Sequence, residues 1–275
     1  MSQPSSLQAA AWLGAHALGL YAVMSVALLA VTLLARRWLQ RAAPLSCGMR
    51  LALGGALAGL GSLVFAWLAV ELPAGRALSA WDVAFANALA SVVPPGVVLA
   101  AALITRLGDP TTLVLLGVAV GLVLLLRRHV GLMLAWAVTL AGNGVLNAAW
   151  KHFFARVRPL HAAEGASALG FSFPSGHSSG AVVTYGMLAY LGLRLLPPRW
   201  HRPVLLAAVL LAFSVGASRI ILGVHFPSDV AAGFAWGTVW LVICITGLEL
   251  GDVLQRRASK RKAALIRSGR APTAR

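Results

Sequence analysis

The chain has 275 residues, of which 59% are hydrophobic and only 11% charged, with a mean hydropathy of +0.83. A soluble domain carries roughly 25% charged residues, so the composition excludes an ordinary soluble enzyme and points to an integral helical membrane protein. The net charge of +16 does not argue for nucleic acid: no soluble segment exists to carry a reading surface, and basic residues in membrane chains set topology.

Residues 1–10 are polar and uncharged. With no basic region before the first apolar run, the start does not read as a signal peptide. That run, about 11–35, ends in Arg36-Arg37, and a second, about 51–70, ends at Glu71. Residues 72–110 then break the pattern with Pro73, Gly75, Asp82, Pro94-Pro95 and Gly108-Asp109-Pro110. Within them, 79–92 reads as a short amphipathic helix and 96–106 as an apolar piece too short to span, both expected at the membrane interface.

Two further runs, about 111–126 and 130–150, are joined only by Arg127-Arg128-His129 and must form an antiparallel hairpin. Residues 152–174 read as a loop. A run at 177–196 ends in a proline-punctuated turn, and runs at about 203–217 and 229–249 complete seven spans. The tail from 252 onward is basic and polar, expected to be disordered after a short helical start. Cys47 and Cys244 lie far apart in the sequence and near one expected face, so no disulfide is expected.

The charges orient these spans. Arg36, Arg37, Arg41, Arg50, Arg127, Arg128, Arg194, Arg199, Arg202 and the eight basic residues of the tail fall on one side, 17 of the 23 lysines and arginines. That side is expected to be cytoplasmic, with the C-terminus inside and the N-terminus outside. The other side keeps Arg76, Arg106, Lys151, Arg156, Arg158 and Arg219, together with Glu71, Asp82, Asp109, Glu164 and Asp229.

Four of those six outer basic residues lie in three short blocks: Lys151 to Pro159, Pro174-Ser175-Gly176-His177, and Ser218 to Asp229. Such clustering against the topological bias asks for an anionic ligand. Lys151 and Arg158 are seven residues apart, so a helix continuing past the membrane would put both on one face until Pro159 ends it; alone, the pair equally fits two cations snorkelling beside headgroups. Ser175-Gly176-His177 opens a long apolar helix, where free N–H groups favour an anion, although an ordinary serine cap reads the same way. Pro227 suits the first turn of the last helix. Asp229 then falls early in that turn, able to hold one nitrogen of His225 and free the other as a nucleophile or base, or else to pair with Arg219.

Taken together the blocks resemble the tripartite signature of the type 2 phosphatidic acid phosphatase superfamily: Lys-x6-Arg-Pro, Pro-Ser-Gly-His and Ser-Arg-x5-His-x3-Asp. All three stand without departure. The resemblance implies an all-α membrane protein whose six-helix core covers 51–249. Residues 1–50 would add an extra N-terminal span and a basic loop, and 250–275 a cytoplasmic tail. It implies catalytic roles for His225 as nucleophile forming a phosphohistidine, for Asp229 in orienting its ring, and for His177 as acid and base. Lys151, Arg158, Ser175, Gly176 and Arg219 would bind the phosphoryl oxygens. No metal and no other cofactor is implied.

The expected function is hydrolysis of a lipid phosphate or diphosphate at the outer face of a bacterial-type cytoplasmic membrane. Undecaprenyl diphosphate, phosphatidylglycerophosphate, phosphatidate and lipid A phosphates are all compatible, and the expected partners are the bilayer and the lipid itself. The signature describes only the phosphoryl site, so headgroup choice is expected to lie in 72–110 and in the 160–173 loop. A lipid phosphotransferase would use the same phosphohistidine. A catalytically dead lipid-binding scaffold would be expected to have lost signature residues. A transporter fits less well, because the ionisable groups gather at one end of the spans. Oligomeric state is left open.

Overall fold

The computed structural model describes residues 5–41, 46–73, 76–159 and 170–267, and among them all regular structure is helical. Ten α-helices follow in order: α1 (Ser5–Ala15), α2 (Ala17–Arg41), α3 (Cys47–Val70), α4 (Ala77–Ala90), α5 (Pro95–Thr105), α6 (Pro110–Leu126), α7 (Val130–Phe154), α8 (Gly176–Leu195), α9 (His201–Ile221) and α10 (Pro227–Arg267). Among the described residues, five stretches are long and apolar enough to cross a membrane: Ala17–Trp38, Gly48–Val70, Val130–Phe154, Pro198–Ile221 and Pro227–Gln255. The α6 helix is equally apolar but has only 17 residues. The α8 helix, polar at its start, forms the centre of the bundle, buried along most of its length among α6, α7, α9 and α10.

Punctuation sets the boundaries. Pro95 and Pro110 occupy the first turns of α5 and α6, where a missing N–H costs nothing. At Pro94-Pro95 the chain bends by 119° between α4 and α5, so this pair does not form a straight span. Both helices therefore stay short, within a residue or two of the expected interfacial pieces.

The first apolar run is not one helix. It is broken at a turn at His16 into α1 and α2. The α1 helix, roughly 16 Å long at 1.5 Å per residue, is too short to span, and instead lies on α4, burying Ala10 against Phe85 and Leu89. Gly14 allows this approach: a Cβ there would run into the Phe85 carbonyl oxygen. The tail also differs from expectation. Helix α10 continues to Arg267, through a stretch of Ala, Leu, Lys and Arg with strong helical preference; residues 268–275 lie outside the described region.

Two kinds of packing hold the motif end together. Phe65 of α3, Trp150 and Phe154 of α7, Phe173 and Trp236 of α10 form one aromatic cluster, ring centroids 5.0–6.1 Å apart. It anchors the segment leading into α8. Helix α10 meets α8 backbone to backbone at Gly233 and Gly237, where a Cβ would lie 2.6 Å from the Ser175 carbonyl oxygen and 2.9 Å from that of Ser179.

Candidate active site

The three blocks converge at one end of the bundle. Lys151 sits in the last turn of α7, which stops at Phe154 because Ala155 adopts a left-handed conformation with φ 46°. Residues 155–159 are not helical. Lys151 and Arg158 therefore do not share a helix face, and Pro159 is not the terminator. They meet because the chain folds back: Ser172 N–H donates to the Arg156 carbonyl at 2.8 Å. The Phe171 carbonyl then accepts from Lys151 Nζ at 2.5 Å and from Arg158 Nη2 at 3.2 Å.

Ser175 caps α8. Its hydroxyl accepts from Ser178 N–H at 3.4 Å and from the Ser178 hydroxyl at 2.9 Å, and it is fully buried. Gly176 faces Asn147, whose Oδ1 would lie 2.9 Å from an added Cβ. His177, on the first turn, has its Nε2 2.7 Å from Oδ1 of Asp109, the residue preceding α6. Arg219, in the last turn of α9, donates from Nη1 to the Thr105 hydroxyl at 2.6 Å.

After α9 the chain turns at Gly223, φ +66°, a conformation that favours glycine. It presents His225 just ahead of α10. His225 Nε2 lies 3.1 Å from Arg158 Nη1. A guanidinium can only donate, so Nε2 accepts and the ring proton belongs on Nδ1. That nitrogen faces Asp229 Oδ2 at 3.5 Å and the Ser172 hydroxyl at 3.4 Å. Burial lowers the His225 pKa to about 4 against the pull of Asp229, so the ring is neutral at pH 7 and Nε2, which carries the lone pair, is held by Arg158.

A cavity of about 960 Å³ collects these groups. Lys151, Arg158, Gly176, His177, Arg219 and His225 line its polar end; Leu113, Gly117, Met133, Trp136 and Leu140 continue it as an apolar cleft between α6, α7 and α8. Of the residues picked out from sequence, Ser175 and Asp229 lie behind the wall rather than on it. The Asp229–Arg219 pairing considered above does not occur: Asp229 pairs with Arg156 and His225.

Sequence reasoning missed a second layer. Arg156 Nη1 lies 2.6 Å from Asp229 Oδ1 and Nη2 2.8 Å from Asp82 Oδ2. Ser228 joins the same knot through its hydroxyl to Asp82 and its N–H to Asp82 Oδ1 at 3.2 Å. Asp229 Oδ2 also accepts from the Ser172 hydroxyl and from Phe226 N–H at 2.8 Å. The available signal was Asp82 itself, one of seven acids in the chain, set among apolar residues of a short amphipathic helix.

The PAP2 superfamily model matches residues 130–249. The chain is 33% identical over 153 residues to phosphatidylglycerophosphatase B of Bacillus subtilis, covering 53% of this chain and 72% of that protein. A lipid A 1-phosphatase of Rhizobium johnstonii is 34% identical over 109 residues, 36% of this chain and 41% of its own length. Among solved structures, a transmembrane PAP2 type phosphatidylglycerolphosphate phosphatase from Bacillus subtilis superposes with a TM-score of 0.65 at 31% identity, over 70% of this chain and 96% of that one. Fold, intact signature and relatives agree: this multi-pass membrane protein belongs to the PAP2 superfamily and is a lipid phosphatase.

Proposed function

We propose that the chain hydrolyses a glycerophospholipid monophosphate of the phosphatidylglycerophosphate type through a phosphohistidine on His225, with the site on the outer face of the inner membrane. The observation that carries the reading is the single cavity with three cations and two histidines at one end and an apolar cleft at the other. A phosphate headgroup fits the first and an acyl chain the second. Phosphatidylglycerophosphate is favoured within this class because the Bacillus subtilis relative, 72% of whose length the chain covers, carries that activity in its name.

The chemistry follows from the geometry. His225 Nε2 attacks phosphorus while Asp229 stabilises the positive charge that develops on the ring, at Nδ1–H. Lys151, Arg158, Arg219 and the N–H groups opening α8 hold the phosphoryl oxygens as negative charge grows on them. The P–O bond to the lipid breaks, and His177, entering the step as the imidazolium beside Asp109 and the bound phosphate, gives its ring proton to the leaving oxygen. His177 then takes a proton from water, which attacks the phosphohistidine and releases inorganic phosphate. Departure of neutral alcohol and phosphate restores both rings. The excess of lysine and arginine at the opposite end supports an outward-facing site.

A phosphate-release panel over phosphatidylglycerophosphate, phosphatidate, undecaprenyl diphosphate and a lipid A phosphate tests the substrate. Substrate is supplied from outside to sealed right-side-out vesicles. Preferred release from phosphatidylglycerophosphate is expected. Preference for a diphosphate, phosphate recovered on an added alcohol instead of in water, or release only after the vesicles are opened would each overturn its part of the proposal.

A further inference from the structure

Arg156 is the one outer cation within the three blocks that the signature does not use, and it does not face the cavity. Its side chain is only 9% exposed, lies between two carboxylates that are fully buried, and covers the Phe226 ring at 4.5 Å. A headgroup contact is therefore excluded by position. What Arg156 does touch is the carboxylate that holds the nucleophile. Among the described residues Asp229 Oδ1 receives its side-chain donation from Arg156, while Oδ2 receives Ser172, Phe226 N–H and the His225 ring. The fork of the guanidinium makes the other half of the contact to Asp82 on α4. Helix α4 lies outside the 130–249 segment that the family model matches, and α1 packs along it.

We propose that Arg156 and Asp82 are positioning residues for phosphoryl transfer: Arg156 fixes the plane and charge of the Asp229 carboxylate so that Oδ2 faces His225 Nδ1, and Asp82 fixes Arg156. The inference rests on the reading of His225 as nucleophile. A carboxylate free to rotate would offer His225 either oxygen or neither, and the ring would lose the fixed tautomer that leaves Nε2 unprotonated. Asp82 also tempers the cation, so the pair adds direction with little net charge. The other charged groups facing His225 and Asp229 are Lys151 and Arg158, and they stay in place when Asp82 or Arg156 is changed.

The test is the acid limb of kcat/KM for phosphate release by the full chain in detergent micelles, with inorganic phosphate as a competitive inhibitor to report the intact anion site. Arg156→Gln removes the charge and keeps a donor. A fall in kcat of about 10–100-fold is expected, the scale of losing a group that orients a functional side chain, with KM and phosphate inhibition within about threefold. Loss of a cation makes protonation of His225 or Asp229 easier, so the limb moves to higher pH. Asp82→Asn removes an anion from the same knot, so its limb moves to lower pH with a smaller fall in kcat. Opposite displacements distinguish positioning from mere support of the fold, which would displace neither. Arg156→Lys keeps the charge without the fork, so it is expected to return the limb to its original place while recovering only part of the kcat.

Limbs that stay put, or a loss confined to KM, overturn the proposal. If Arg156→Gln does not accumulate in membranes, the direction of the Asp82→Asn limb decides alone. Failure of the underlying reading looks different: His225→Ala would then release phosphate normally whatever Arg156 does.

Discussion

The two ends of the bundle carry charge in opposite ways. At the motif end Asp82, Asp229 and His225 are buried and interlocked, and the nearly covered Arg156 side chain ties the two carboxylates together from another stretch of the chain. At the other end Arg50 pairs with Glu249 at 3.1 Å and Arg194 with Asp252 at 2.6 Å. Those pairs are exposed or half-exposed, joining one end of α3 and one end of α8 to the middle of α10. Buried charge must be paired to be tolerated, and breaking the pair is costly; exposed pairs are worth little. On the proposed function the first arrangement orients groups for a reaction, whereas the second lies at the end where lysine and arginine are in excess, the end proposed to face the cytoplasm.

The strongest way to break this contrast is at the proposed nucleophile. His225→Ala is expected to remove phosphate release by on the order of 10⁶-fold, the scale for loss of a covalent nucleophile, while the protein still extracts and elutes as a folded species. Measurable turnover near the wild-type rate would mean that the buried end holds a structure rather than a mechanism. A subtler break uses backbone instead of charge. Gly233→Ala places a methyl 2.6 Å from the Ser175 carbonyl oxygen and 2.8 Å from Ser178 Cβ. It must part α8 from α10 where one carries His177 and the other Asp229. Overpacking of this kind costs about 1–3 kcal/mol, so a lower thermal midpoint and reduced kcat are expected together. A stable, fully active Gly233→Ala would show that the interface yields without moving either residue.

Much of this end was legible in the sequence because its parts are local. Pro227 two residues before Asp229, Ser175 opening an apolar helix, and the apolar runs themselves all act within one helical turn or one span. The errors arise where a distant partner overrode a local preference. Lys151 and Arg158 were expected on one helix, but Ala155 ends α7 early and Ser172 folds the chain back onto Arg156. Arg156 and Asp82 are 74 residues apart, and no periodicity links them. The 11–35 run divided because Gly14 allows α1 to dock on α4, a contact that no reading of residues 11–35 alone contains. Residues 160–169, expected to help choose the headgroup, lie outside the described structure.

The smallest expected effect lies at the opposite end, and it sharpens the comparison by its size. Glu249→Gln removes the partner of Arg50, whose side chain is 57% exposed against 36% for Glu249, and leaves the Tyr190 hydroxyl at 3.0 Å an amide oxygen as acceptor. In water-like surroundings the pair contributes about 0–1 kcal/mol, and the added salt of an assay buffer screens part of that. Thermal midpoint and phosphate release should therefore both stay close to wild type. A large loss of activity with an unchanged midpoint would mean that the lower half of α10 transmits something to the site. The long helix that carries Asp229 at its start and Glu249 near its middle would then be a coupling element, and the two ends of the bundle would no longer be independent.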